Sequence, residues 1–148
     1  MITLHRQVRF EEVDAAGIVF FARFFGYAHE AMEHFFAGVD GGYPGLIVTR
    51  RIGLPAVKTG AEFASPLRYG EVVRIDTTSA RIGTRSADLR FVLACGERRA
   101  AVVTHTVVTT DLVTMRSCEM PPDVRRVLEA HLEPSGEGRA EAQGGRRA

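Results

Sequence analysis

Two hydrophobic patterns follow one another in the first third of the chain. Residues 3–10 alternate loosely between apolar and polar side chains, which predicts a first strand. From Phe21 onward the apolar positions recur every three or four residues, which predicts a helix over about 22–37 that ends near Gly38. Because this apolar face is rich in phenylalanine, we expect a sheet to wrap around it. The face consists of Phe21, Phe24, Phe25, Ala28, Met32, Phe35 and Phe36.

The remainder of the chain reads mainly as antiparallel β structure. Residues 38–53 contain several glycines and a proline, which predicts a loop with about one turn of regular structure. Apolar and polar residues then alternate in four segments separated by turn residues. These segments predict strands at 54–64, 72–81, 86–95 and 98–110. The pair Pro121-Pro122 predicts the start of a short helix that ends at about His131.

This order of elements predicts an α+β fold in which an antiparallel sheet wraps around one long central helix. A parallel α/β fold would need a helix after every strand, and the four later strands have only short turns between them. A length of 148 residues indicates a single domain. We expect that domain to span residues 1–133, followed at 134–148 by a disordered polar tail without apolar periodicity.

Composition and charge exclude several classes of function. A net charge of +1 gives no general attraction to nucleic acid. No apolar run approaches the roughly 20 residues that a membrane span needs, and the N-terminus lacks the apolar segment of a signal peptide. Cys95 and Cys118 lack metal or redox spacing, so we expect reduced thiols in a cytoplasmic protein, with Cys95 buried. No metal or redox cofactor is expected, and neither nucleic acid nor membrane is an expected partner.

Asp14 is the strongest candidate for chemistry. It ends an extended segment, and the small residues Ala15-Ala16-Gly17 separate it from the long helix. Free N–H groups and the helix dipole converge at a helix start, where they stabilise a developing oxyanion. A carboxylate beside such a point predicts an acyl-transfer site. The alternative is that Asp14 only caps the helix, worth about 1 kcal/mol, and position alone favours capping.

Other polar residues near this segment have simpler interpretations. Glu12 is expected to be a surface acid that helps to fix the turn. Glu30 and Glu33 lie on the polar side of the predicted helix, where they are expected to meet solvent or a neighbouring subunit. His105 falls on the inward face of its strand and is expected in the core or at an interface. Four phenylalanines are expected in the core, with the first helical turn able to give one ring to an acyl pocket: Phe20, Phe21, Phe24 and Phe25.

Residues 10–21 (FEEVDAAGIVFF) carry a resemblance to a known family. The segment resembles the motif of the 4-hydroxybenzoyl-CoA thioesterase family, and the strand–turn–helix order resembles the hotdog fold. Residues 63–73 (FASPLRYGEVV) are similar to the Pro and Gly-acid pattern before the third hotdog strand. Residues 29–33 (HEAME) are similar to the helix of the 1,4-dihydroxy-2-naphthoyl-CoA thioesterase branch.

The resemblance implies specific roles. Asp14 would be the catalytic carboxylate, as general base or nucleophile, and the Phe21 backbone N–H would polarise the thioester carbonyl. In another hotdog branch the catalytic carboxylate comes from the central helix, which makes Glu30 or Glu33 a rival.

The family works as a homodimer or a dimer of dimers, a homotetramer, with sites between subunits. The CoA phosphates would meet the basic stretch after the third strand, and a partner subunit would supply part of the site. The basic stretch here contains Arg81, Arg85 and Ser86, for which a solvated hairpin is the alternative. Lys58 and Thr59 are the candidates for lining the site from the partner subunit.

One departure bears on the substrate. Many acyl-CoA members of the wider family carry a Tyr-His pair where this chain has Phe20-Phe21. An apolar pocket suits an aromatic acyl group, so the prediction is hydrolysis of an aromatic acyl-CoA such as hydroxybenzoyl- or dihydroxynaphthoyl-CoA. A broad short- or medium-chain acyl-CoA or acyl-carrier-protein thioesterase is the alternative enzyme. A non-catalytic acyl-CoA-binding module is the alternative from another class.

Overall fold

A computed structural model describes residues 1–135, so residues 136–148 of the predicted tail lie outside the described part. The helices are α1 (Arg23–Phe35), the single turn α2 (Gly42–Pro44) and α3 (Pro122–Ala130). The strands are β1 (Ile2–Gln7), β2 (Ile52–Gly53), β3 (Ala56–Phe63), β4 (Val72–Ile82), β5 (Ser86–Cys95), β6 (Arg98–Val108), β7 (Thr110–Asp111) and β8 (Arg116–Ser117). No helix within residues 1–135 is long and apolar enough to cross a bilayer.

Five strands form one antiparallel sheet in the order β1-β4-β5-β6-β3. The long hairpins β4–β5 and β5–β6 lie at its centre, and β1 and β3 are its two edges. This arrangement confirms the predicted α+β class. A second sheet, in the order β2-β7-β8, was not predicted, because strands of two residues are too short to show alternation.

The sheet wraps around α1, and the core lies between them. Phe24, Ala28 and Phe35 of α1 are buried against inward-facing residues of the central strands, among them Ile75 and Phe91. Burying a large apolar side chain contributes about 1.5–3 kcal/mol, so this phenylalanine-rich face is the main reason for the helix to lie there.

Several predicted boundaries need correction. The first strand ends at Gln7, and Phe10–Glu12 form a 3-10 turn, because Val8 is drawn into the core while the chain bends. The predicted loop at 38–53 contains α2 and a π-helical turn at Gly45–Thr49. Cys95 is half-buried rather than buried.

The sheet has two distinct ends. At one end β4 begins, β3 finishes, and the loop after β1 carries Asp14. At the other end the chain turns from β4 into β5 at residues 83–85. Because β4 has 11 residues, the two ends lie roughly 30 Å apart.

Candidate active site

Asp14 sits at the start of a tight loop rather than at a helix terminus. An antiparallel bridge joins Val13 to Val19, and the Asp14 N–H donates to the Ile18 carbonyl at 2.9 Å. The Asp14 carboxylate accepts the Ala16 N–H at 2.8 Å and is otherwise exposed. It does not cap α1, whose N-cap position is occupied by Ala22 without a side-chain hydrogen bond. The capping hypothesis for Asp14 is therefore wrong.

The Phe21 N–H is a free donor just before α1. The N–H of the preceding residue, Phe20, donates to the Glu12 carbonyl at 3.1 Å, and the Arg23 N–H donates to the Phe20 carbonyl at 2.9 Å. Within residues 1–135 the Phe21 N–H has no acceptor. A fixed and unoccupied backbone N–H is the kind of donor that stabilises an oxyanion.

Asp14 and Phe21 line one cavity of about 550 Å³. Its walls come from the Asp14 loop, the start of α1 and the end of β3. The lining residues are Asp14, Ile18, Val19, Phe20, Phe21, Phe24, Phe63, Ala64, Ser65 and Pro66. Asp14 is the only ionisable side chain among them. The cavity thus presents one carboxylate to a largely apolar space.

The phenylalanines near the start of α1 differ in burial. Phe24 is buried and meets Phe63 edge to face at 5.1 Å between ring centroids. Phe20 and Phe21 are 47% and 59% exposed, so the expectation that they belong to the core is wrong. They precede α1, whose first residue is Arg23, and their rings border the cavity instead.

The burial of Glu12 is the largest difference between the predicted and the observed site. It is only 6% exposed, although it was expected on the surface. Its carboxylate accepts two hydrogen bonds from Arg6 at 2.6 and 2.7 Å, the Tyr27 hydroxyl at 2.6 Å and the Arg9 N–H at 2.9 Å. Burial by itself raises the pKa of Glu12, but these hydrogen bonds outweigh it and lower the pKa to about 2.

The two rival carboxylates on α1 do not reach the cavity. Glu30 binds Arg6 at 2.8 Å on the far side of that guanidinium, and Glu33 pairs with His29 at 3.1 Å. Neither lines the space beside Asp14. Among the three candidate carboxylates, the structure therefore brings only Asp14 to the cavity.

His105 has the core position that its strand pattern predicts. Its ring is buried against Phe91, with centroids 5.2 Å apart, and its Nδ1 lies 2.7 Å from the Thr59 hydroxyl. Burial lowers the pKa of His105, which favours the neutral ring. It does not line the Asp14 cavity.

The five predicted CoA contacts lie away from the Asp14 cavity of the same chain. Arg81 binds Asp88 at 2.8 Å and Ser86 at 3.2 Å near the β4–β5 turn. Arg85, in that turn, donates to the Ser117 hydroxyl at 3.1 Å. The two others, on the edge strand β3, are exposed: Lys58 and Thr59. None of the five lines the cavity.

An antiparallel sheet that wraps around one central helix is the architecture of hotdog-fold thioesterases. The sequence profile of the Thioesterase-like superfamily matches residues 8–128. The chain belongs to this superfamily, which confirms the predicted fold and enzyme class.

Known proteins similar to this chain agree with that membership. A 1,4-dihydroxy-2-naphthoyl-CoA hydrolase from Synechococcus sp. is 31% identical, over 90% of this chain and 95% of its own length. A hydrolase of the same name from Prochlorococcus marinus is 29% identical, over 87% of this chain and 90% of its own length. A solved gentisyl-coenzyme A thioesterase superposes with a TM-score of 0.77 at 27% identity, covering 86% of this chain and 99% of the other.

Proposed function

We propose that the protein hydrolyses an aromatic acyl-CoA thioester, with Asp14 and the Phe21 N–H as its catalytic groups. The observation that carries this proposal is their shared position on one apolar cavity. Relatives named for aromatic acyl-CoA thioesters, dihydroxynaphthoyl and gentisyl, support the substrate class. In this proposal residues 1–133 form the catalytic domain.

The chemistry requires an attacking oxygen and a place for negative charge. In the general-base route, Asp14 takes a proton from water, and the water oxygen bonds to the thioester carbon. The carbonyl oxygen becomes an oxyanion, which accepts the free Phe21 N–H beside the α1 dipole. When the C–S bond breaks, the carbonyl re-forms, and the departing CoA thiolate takes up the proton from Asp14, which regenerates the carboxylate.

A nucleophilic route uses the same atoms differently. Asp14 itself bonds to the thioester carbon and expels CoA, and water then hydrolyses the mixed anhydride. A single turnover in H₂¹⁸O identifies the nucleophilic route when water opens the anhydride at the aspartyl carbonyl. Direct attack with hydrolysis at the aspartyl carbonyl gives an unlabelled acid in the first turnover, whereas a water activated by Asp14 gives a labelled acid.

A substrate panel tests the proposed function. We expect benzoyl- and hydroxybenzoyl-CoA to have higher kcat/KM than hexanoyl-CoA, because flat aromatic rings stack favourably on the phenylalanines of the cavity. Equal rates across the panel would favour a broad acyl-CoA or acyl-carrier-protein thioesterase. Binding of every ester without release of free CoA would contradict the enzyme and favour an acyl-CoA-binding module.

We also propose that the protein is a homodimer joined through β3. This strand is an edge of the sheet, and its backbone groups on the outer side have no neighbouring strand within residues 1–135. Val57 and Phe63, near its two ends, are 63% and 51% exposed. An eight-residue edge with exposed apolar side chains is a template for pairing with a second copy.

The sequence of β3 is complementary to itself. If two copies pair antiparallel about Gly60, Lys58 of each lies opposite Glu62 of the partner subunit, and Val57 lies opposite the partner's Phe63. This pairing places each β4–β5 turn, with Arg85, at the same end as the partner's Asp14 cavity. An arginine at that end is suited to the CoA phosphates, because guanidinium binds phosphate in a bidentate manner.

Crosslinking tests this pairing directly, because Lys58 is the only lysine in the sequence. A carbodiimide that joins amines to carboxylates should give a covalent dimer through Lys58 and Glu62. The Lys58→Arg variant keeps the charge but should lose the crosslink. A covalent dimer of unchanged yield in Lys58→Arg, or a monomer by light scattering, would contradict the proposed pairing.

A further inference from the structure

A buried polar cluster lies next to the Asp14 loop. It joins Arg6 on β1, Glu12 on the 3-10 turn and Tyr27 on α1, and Arg6 also reaches the half-exposed Glu30 outside the cluster. The Arg6 guanidinium lies 4.2 Å from the centre of the Tyr27 ring, and its side chain is 9% exposed. Such a cluster is costly to bury unless every charge is paired, so its place beside the cavity invites a functional explanation.

Glu12 accepts four hydrogen bonds. Two guanidinium N–H groups, one hydroxyl and one backbone N–H converge on its two oxygens. These donors lower the pKa of Glu12 to about 2, so its carboxylate is a weak base whose oxygens are already engaged. Glu12 is therefore unsuited to act as a general base, unlike the exposed Asp14.

The backbone of Glu12 ties together the two segments that carry the catalytic groups. Its carbonyl accepts the Phe20 N–H at 3.1 Å, one residue before the free Phe21 N–H. In the other direction, Glu12 lies two residues before Asp14, and the Val13–Val19 bridge closes the loop between them. Displacing Glu12 would therefore move Asp14 and Phe21 relative to each other.

We infer that Glu12 is a positioning residue for thioester hydrolysis: held by Arg6 and Tyr27, it keeps the Asp14 carboxylate and the Phe21 N–H on the same cavity. This inference rests on the proposed function. The step it supports is attack on the carbonyl, where a displacement of about 1 Å costs on the order of 10²-fold in rate.

The contacts of Arg6 provide a matched control. Its other partner, Glu30, is about half exposed and has no bond to the loop. Glu30→Gln and Glu12→Gln each remove one carboxylate charge from the same guanidinium. Only Glu12→Gln weakens the anchor of the loop. Tyr27→Phe is milder, because it deletes one hydroxyl and leaves the ring under Arg6.

The experiment measures kcat, KM and thermal unfolding for each variant on benzoyl-CoA, well below the unfolding midpoint. We expect kcat to fall about 10²-fold in Glu12→Gln and several-fold in Tyr27→Phe with KM nearly unchanged, and to stay within about twofold in Glu30→Gln. A purely structural role would lower the unfolding midpoint and leave kcat per folded molecule intact. That result would overturn the inference.

Two further outcomes keep the inference separate from the proposed function. If Glu12→Gln does not fold, Tyr27→Phe decides, and a wild-type kcat there overturns the positioning role. Asp14→Asn is assayed alongside. An active Asp14→Asn contradicts the proposed function itself, whereas an inactive Asp14→Asn with a normal Tyr27→Phe contradicts only the role of Glu12.

Discussion

The two ends of the sheet differ in chemistry. The end with the Asp14 loop has an apolar cavity that is lined by one carboxylate, that of Asp14, and by Phe21, whose backbone N–H has no acceptor within residues 1–135. The end with the β4–β5 turn has Arg81 and Arg85 and no residue of that cavity. An acyl group and a nucleotide phosphate need these opposite surroundings. In the proposed dimer, each copy would supply one half of a site that the other copy completes.

The largest effect is expected from Asp14→Asn, which in the proposed mechanism removes the attacking or proton-accepting group. We predict a fall in kcat of about 10²–10⁴-fold on benzoyl-CoA, the usual contribution of a general base, with KM little changed. Glu11→Gln is the matched control, because it neutralises an exposed carboxylate on the neighbouring turn. A kcat equally reduced in both variants would contradict a specific role for Asp14.

Charge reversal on β3 tests whether the two ends meet across subunits. In the proposed pairing, Lys58→Glu places like charges opposite each other twice about the symmetry axis. We predict that the dimer dissociation constant rises roughly 10–30-fold, measured by sedimentation. The double variant Lys58→Glu/Glu62→Lys restores opposite charges and should restore association. If the double variant dimerises no better than the single one, the register is wrong.

The basic end should affect substrate binding rather than chemistry. We predict that Arg85→Ala raises KM for benzoyl-CoA about tenfold and leaves kcat nearly unchanged, because a phosphate contact is the same in ground and transition states. Arg126→Ala, an exposed arginine on α3, serves as the control. The sharper check uses a thioester that lacks the nucleotide, for which Arg85→Ala should make no difference. A loss with that short thioester would contradict phosphate contact.

The smallest effect concerns pH and the carboxylate buried beneath the apolar end. The pKa of Glu12 falls from about 4.5 to about 2 on folding, so its stabilisation is complete above pH 4.5 and disappears as the pH falls toward 2. At pH 4 the loss should be about 1 kcal/mol in the free energy of unfolding. Urea titrations at pH 6 and pH 4 measure the free energy of unfolding of wild type and of Glu12→Gln. The loss between the two pH values should be about 1 kcal/mol larger in wild type. An identical pH response of both proteins would refute it.

The sequence predicts the parts of this molecule that depend on local patterns. The helix over residues 23–35 and the long strands follow from periodicity, and the Asp14 loop follows from three small residues between a strand and a helix. Burial of Glu12 does not follow in this way, because its partners Arg6 and Tyr27 belong to a strand and a helix that meet only in the folded chain. No residue spacing in the sequence predicts the contact of Glu12 with Arg6 and Tyr27.

The site shows the same division. That Asp14 and Phe21 share a cavity could be predicted, since they lie within one short motif. The separation of Arg81 and Arg85 from that cavity could not, because it depends on strand order and on the direction of β4. The exposure of Phe20 and Phe21 was also missed, because a helical pattern does not show where the helix begins.

Subunit complementation tests most directly the claim that each active site combines Asp14 of one subunit with Arg85 of the other. Asp14→Asn and Arg85→Ala proteins are mixed, unfolded and refolded together, and assayed on benzoyl-CoA well below KM. Half of the random dimers are mixed and each regains one intact site, so the account predicts about a quarter of wild-type activity. The baseline is the activity of the same amount of Arg85→Ala protein assayed alone. A mixture no more active than this baseline would show that Asp14 and Arg85 act within one chain, and would contradict the account.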